Sequence, residues 1–278
     1  MIRRRFLLNT AGGLLALRTL AGCATAPSEA SAEGYFERDG ARLWYDVVGK
    51  GPPVILLHGG LSSHRVWDGQ IPALIQAGYQ VILFDSRGHG RSSLGSAPLT
   101  YERMAGDVGA LIARLRLKQP AIVGWSDGAI IALVLAMDPA AGLGPIYAFG
   151  ANMNQAGVRP NAGDAPILKQ VGPRLAADYA ELSPAPDFSA LARAVRTMQS
   201  SRLNFDAGQV SRIRATAVRI AAGDHDEFIL PAHAAWIANA IPGAELEILT
   251  GCGHFAPWHA PATFNRSVLS FLNAHGRS

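Results

Sequence analysis

The stretch Pro53-Val54-Ile55-Leu56-Leu57 has no polar side chain, and similar short, largely apolar runs return at 79–84, 121–124, 146–149, 217–222 and 245–249. Runs this short and unbroken suit strands buried on both faces, as in a parallel sheet. Between them lie longer stretches with helical spacing, at 67–77, 101–117, 128–137, 232–240 and 263–274. Strands alternating with helices predict an α/β fold, in which helices cover both faces of a mostly parallel sheet. Ahead of the first run, GYFERDGARLWYDVVG (34–49) reads as two alternating strands around Asp39-Gly40, a hairpin signal. It would add antiparallel strands at one edge, giving eight in all.

The alternation breaks between about 151 and 213. That segment has prolines at 160, 166, 173, 184 and 186, no strand-type run, and helical patterns at 167–181 and 188–201. Sixty structureless residues inside a compact domain would be improbable. The expected organisation is therefore a core made of 34–150 and 214–278, with a small helical insertion, 151–213, above the sheet.

The first two dozen residues have another character. Arg3-Arg4-Arg5 precedes an apolar stretch, 11–21, that is too short to span a bilayer and is interrupted by Arg18. RRRFLL resembles a twin-arginine export signal, and Leu20-Ala21-Gly22-Cys23 resembles the lipobox of bacterial lipoproteins, in which Cys23 would carry the lipid. The alternative is a plain signal peptide cleaved near Ala24 or Ala26. A third reading is an intracellular protein with a fortuitous apolar start; on the first two, 1–23 is expected to be a targeting segment and ATAPSEASAE (24–33) a tether. The expected location is the periplasm, or the bacterial envelope through the lipid. The net charge of +4 is local to this region: of 25 basic residues, Arg3, Arg4, Arg5 and Arg18 precede Cys23, and the remaining 21 balance 21 acidic ones. A nucleic-acid partner is thereby disfavoured. With Cys23 modified or removed, Cys252 has no intramolecular disulfide partner.

Chemistry concentrates at Gly124-Trp125-Ser126-Asp127-Gly128. G-x-S-x-G between a strand and a helix is the context of a nucleophile elbow, which exposes the serine Oγ at the carboxyl edge of a sheet. A serine hydroxyl needs a base to take its proton and a carboxylate to orient that base. Later strand ends offer both. Asp224 and Asp226 follow one, and His254 follows another, with His225, His233 and His259 as competing histidines. The order serine, acid, histidine fits one architecture in particular. No HExxH or paired CxxC is present, so neither a metal nor another cofactor is expected.

Taken together, VILLHGG (54–60), Trp67 with QIPAL (70–74), GYQVILFDSRGHGRSS (78–93), GWSDG, AAGDHDE (221–227) and GCGHFAPWHAP (251–261) resemble the α/β-hydrolase superfamily, over nearly the whole chain from residue 34. The resemblance implies Ser126, Asp226 (in G-x-x-D) and His254 (in G-x-G-H) as the catalytic set. It implies an oxyanion hole from the backbone N–H groups of Asp127 and Gly60, with Leu61 as the lesser candidate. His58, and the Asp85, Arg87, Gly88 and Gly90 of DSRGHGRS, are expected to brace loops.

The elbow is most similar to the biphenyl-hydrolase-like, or valacyclovirase-like, esterases. A serine there argues against the epoxide hydrolases and haloalkane dehalogenases of this superfamily, which use aspartate. The implied function is hydrolysis of small carboxylic esters through an acyl-enzyme, by a monomer. Aminopeptidase of the proline-iminopeptidase type, lactonase, C–C hydrolase and cofactor-free perhydrolase remain alternatives on the same residues. A non-enzymatic envelope binding protein is disfavoured because all three catalytic positions are filled. Substrate contacts are expected from Trp125, Leu61, Met153 and Asp127, and from Leu168, Phe188, Met198 and Phe205 of the insertion. For Asp127 two roles compete: binding a substrate amine, or favouring a helix N-terminus through the macrodipole.

Overall fold

A computed structural model describes residues 32–276. The expected export signal, Cys23 and most of the expected tether lie outside the described residues. The eight strands are β1 (Gly34–Arg38), β2 (Ala41–Val48), β3 (Pro53–Leu57), β4 (Gln80–Phe84), β5 (Ala121–Trp125), β6 (Ile146–Phe149), β7 (Val218–Gly223) and β8 (Glu245–Leu249). They form one sheet in the order β1-β2-β4-β3-β5-β6-β7-β8. Asp39 (φ 47°) and Gly40 (φ 72°) turn β1 back on β2, as a two-residue hairpin requires. β1–β2 and β2–β4 pair antiparallel, and every later pair is parallel.

The helices are α1 (Ile71–Gln76), α2 (Tyr101–Leu115), α3 (Asp127–Leu135), α4 (Ile167–Leu182), α5 (Phe188–Ser201), α6 (Ala207–Val210), α7 (Pro231–Ala240), α8 (Ala256–His259) and α9 (Pro261–His275). Side chains alternate across a strand, so each central strand feeds two cores. Ile55, Leu57, Ile82 and Ile122 pack with Val108 and Leu111 of α2, the apolar residues of α3 and Ile237 of α7. Val54, Leu56, Val81 and Val123 pack on the other face with Leu74 of α1 and Phe264, Phe271 and Leu272 of α9. α3 crosses the middle of the molecule with every residue buried, which is why its sequence is apolar all round.

The helix expected over 67–77 is instead a 3-10 turn, His64–Trp67, followed by α1. Pro72 has no N–H to donate and its ring opposes a continuing helix, whereas the first turn of a new helix accepts it. The interruption from 151 holds α4, α5 and α6. Phe205 N–H donating to Met153 O (2.8 Å) joins its two ends, and a bridge between Val158 and Ile229 ties it to the core. Among the described residues, no helix is long and apolar enough to cross a membrane.

Candidate active site

β5 runs straight into α3 through Ser126, which has φ 55° and ψ −124°. A side chain in this region costs about 1–3 kcal/mol, so surrounding structure must hold it there. Ser126 N–H donates to Phe149 O (2.9 Å), and Ser126 O accepts from the N–H groups of Ala129 and Ile130. Gly128 permits the close crossing: a Cβ there would stand 2.1 Å from Leu57 O.

The groups that serve a serine come from the loops after β7 and β8. His254 Nδ1 lies 2.8 Å from Asp226 Oδ2. Asp226 is buried, and its other oxygen accepts from the N–H groups of Phe228 (2.8 Å) and Ile229 (2.7 Å). A carboxylate held this way favours the proton on Nδ1 and leaves Nε2 able to accept one. Trp125 Nε1–H donates to His254 O (2.8 Å), joining the elbow to the histidine loop. Burial opposes the charged imidazole, but Asp226, with Glu227 and Asp127, outweighs it, and the His254 pKa is raised.

Ser126 and His254 line one cavity of about 460 Å³. Gly60, Leu61, Trp125 and Asp127 line it from the core side, and Leu168, Leu175, Val195, Gln199 and Leu203 from the insertion. Gly60 sits directly against the elbow, where a Cβ would come 2.5 Å from Asp127 Oδ2.

The competing residues lie elsewhere. Asp224 accepts from Cys252 N–H (3.2 Å) and pairs with the exposed His225. His233 Nε2 accepts from Met153 N–H (3.0 Å), and His259 is on the surface. His58 is held between Gly59 O and the N–H of Ser86.

Met153 is a correction. Its side chain is wholly buried in the core and does not line the cavity. Met198 and Phe205 are buried with it, and Phe188 packs on Tyr179 at 5.7 Å. Of the residues expected from the insertion, Leu168 alone reaches the cavity. On α5 it is Ala192, Val195, Arg196, Gln199 and Ser200 that face the space.

Asp127 opens α3 and lines the cavity, as its two expected roles require, but its carboxylate also has partners that neither role anticipated. Its Oδ1 accepts from Tyr101 Oη (2.8 Å) and its Oδ2 from Gln199 Nε2 (3.0 Å). Burial raises its pKa against the lowering effect of these two bonds. Tyr101 and Gln199 stand far from the elbow in sequence and carry no motif, so nothing in the sequence pointed to them. Glu227 was equally missed, although it follows Asp226 directly. Its Oε2 accepts from His254 N–H at 2.7 Å. Among the described residues, no group of three or more His, Cys, Asp or Glu could hold a metal ion.

A strand-end serine, a later acid and a final histidine on this sheet define a hydrolase scaffold, and comparison agrees. The model of the alpha/beta hydrolase family matches residues 54–267, and the chain belongs to that family. Among curated relatives, a non-heme haloperoxidase of Rhodococcus erythropolis is 39% identical over 90 residues, covering 32% of this chain and 33% of its own. Epoxide hydrolase B of Mycobacterium tuberculosis is 40% identical over 89 residues, covering 31% and 25%. The match thus spans a third or less of these relatives' length. Among solved structures, an N-acyl homoserine lactone degrading enzyme is 25% identical with a TM-score of 0.71, covering 86% of this chain and 100% of its own. An enol-lactonase from Burkholderia xenovorans, 21% identical with a TM-score of 0.71 and covering 86% and 100%, shares the fold.

Proposed function

We propose that this protein is a serine hydrolase of small carboxylic esters. The observation that carries the reading is the cavity shared by Ser126, held in a strained elbow, and His254, whose Nδ1 is engaged by Asp226. His254 Nε2 takes the Ser126 proton as Oγ attacks the ester carbonyl, and returns it to the departing alcohol. The N–H groups of Asp127 and Gly60 receive the oxyanion, a contribution of several kcal/mol to the barrier. Water activated by the same histidine then releases the acid. Insertion residues 151–213 act as a cap whose apolar lining excludes water and shapes the acyl pocket.

A lactone is a cyclic ester and would follow the same steps. The whole-length likeness to a lactone degrading enzyme supports including lactones in the substrate range. Asp127 is a brace rather than an amine receptor, because both oxygens already serve the protein. An α-amino ester and its N-acetyl counterpart should therefore react with similar kcat/KM, and a strong preference for the free amine would overturn that assignment. The decisive experiment is a panel of p-nitrophenyl esters of graded acyl length with N-acyl lactones. Hydrolysis of the shorter esters, lost by about 10⁵-fold in Ser126→Ala, supports the reading. A folded wild-type protein inactive on the whole panel defeats it. We also propose export with a lipid on Cys23; incorporation of labelled fatty acid that persists in Cys23→Ala would exclude that site.

A further inference from the structure

The hydrogen bonds around His254 are more numerous than a triad needs. Its ring is held by Asp226, its carbonyl by the indole of Trp125, and its N–H by Glu227. Glu227 follows Asp226 in the same loop but does not point the same way. Its carboxylate crosses to the loop after β8, against Gly253. A Cβ on residue 253 would meet the two Glu227 oxygens at 2.7 and 2.8 Å. The second glycine of Gly251-Cys252-Gly253-His254 is thus the space that Glu227 occupies. Gly253 and Glu227 form a matched pair across two loops.

We propose that Glu227 is a positioning residue for His254, clamping the backbone of the base while Asp226 clamps its ring and adding a second negative charge behind the imidazole. The inference rests on His254 being the base. A carboxylate accepting from a backbone N–H makes a charge-assisted bond, about twice as strong as a neutral one. It fixes the histidine loop at the residue that must reach Ser126. The charged groups facing His254 are Asp226 and Glu227 from the loop after β7 and Asp127 from the elbow. Arg159, from the segment after β6, donates to Asp226 O (2.7 Å). Of the three carboxylates, Asp226 touches the ring and Asp127 is committed to Tyr101 and Gln199. Glu227 can be neutralised while its hydrogen bond is kept, because the carbonyl oxygen of glutamine also accepts.

The test compares wild type, Glu227→Gln and Glu227→Ala in two readouts. The first is the pH profile of kcat/KM on p-nitrophenyl butyrate. The second is the NMR titration of His254 in ring-labelled protein, which needs no activity. In Glu227→Gln the His254 titration and the acid limb should move together to lower pH by about half a unit, with the plateau within threefold of wild type. In Glu227→Ala the plateau should fall about tenfold as well, since the backbone anchor is gone. A glutamine variant whose His254 titrates as in wild type overturns the proposal and leaves Glu227 a loop fastener only. If Glu227→Ala does not fold, the glutamine variant alone decides. An NMR shift in a protein inactive on every ester would defeat the hydrolase reading and spare the clamp.

Discussion

Two clusters of buried charge stand among the loops at the carboxyl ends of the strands, and they differ in whether a proton can leave them. After β4, Arg87 forks onto Asp107 with two bonds of 2.6 Å, both side chains fully buried. After β7 and β8, Asp226 holds His254 in an equally buried pair. A guanidinium stays charged at any pH the fold survives, so Arg87–Asp107 can only hold loops. An imidazole can give up its proton within the range where the fold persists, and His254, whose pKa is raised, lies beside a cavity. Burial and pairing are alike in the two places. The cation's ability to give up its proton separates a brace from a base.

Substitution on each side of this comparison gives opposite signatures. Asp226→Asn should lower kcat by about 10⁴-fold, because an amide donor facing Nδ1 favours the wrong tautomer. Its melting temperature should change far less than its activity; comparable losses in both would erase the distinction. Asp107→Ala leaves Arg87 buried without its carboxylate and should cost about 3–5 kcal/mol by denaturant unfolding. The molecules that remain folded should keep near-normal kcat, as active-site titration would show.

The smallest effect is one of pH. Burial, aided by the neighbouring His89 and opposed by Asp85, lowers the His58 pKa to about 4. An unfolded histidine takes up its proton near 6.5. The unfolded chain thus binds more protons between these values, and stability should fall as the pH drops from about 6.5 to about 4, by at most about 3 kcal/mol from this group. His58→Gln should flatten that slope while preserving the bonds to Gly59 and Ser86. A slope unchanged in the variant would assign the acid sensitivity to other groups.

Much of this was readable in advance, for identifiable reasons. Strands β3 to β6 are legible because burial on both faces leaves apolar runs, and Ser126 follows from where one of them stops; Asp226 over Asp224, and His254 over its competitors, rested on the family resemblance. The hairpin is legible because Asp39-Gly40 has one natural backbone conformation. The cavity wall was not. On α5, Val195 and Gln199 face the space while Met198 is buried, and one turn of apolar spacing cannot say which neighbour a stripe meets. Asp127 was hardest, because its partners Tyr101 and Gln199 reach it through tertiary packing alone. Its two expected roles looked to a substrate or to its own helix, and its bonds go to other parts of the chain.

The insertion leaves the core after β6 and returns before β7, and those strands are neighbours in register, Ile146 beside Val218. The sheet is continuous beneath it. Whatever stands between residues 150 and 217 can therefore lengthen, shorten or be exchanged without disturbing a single strand pair. The insertion is nonetheless tied to the loops below it, by Gln199 on Asp127 and Arg159 on the backbone of Asp226. An excursion rooted between two adjacent strands can be redrafted over evolution while the strand order beneath it is inherited intact.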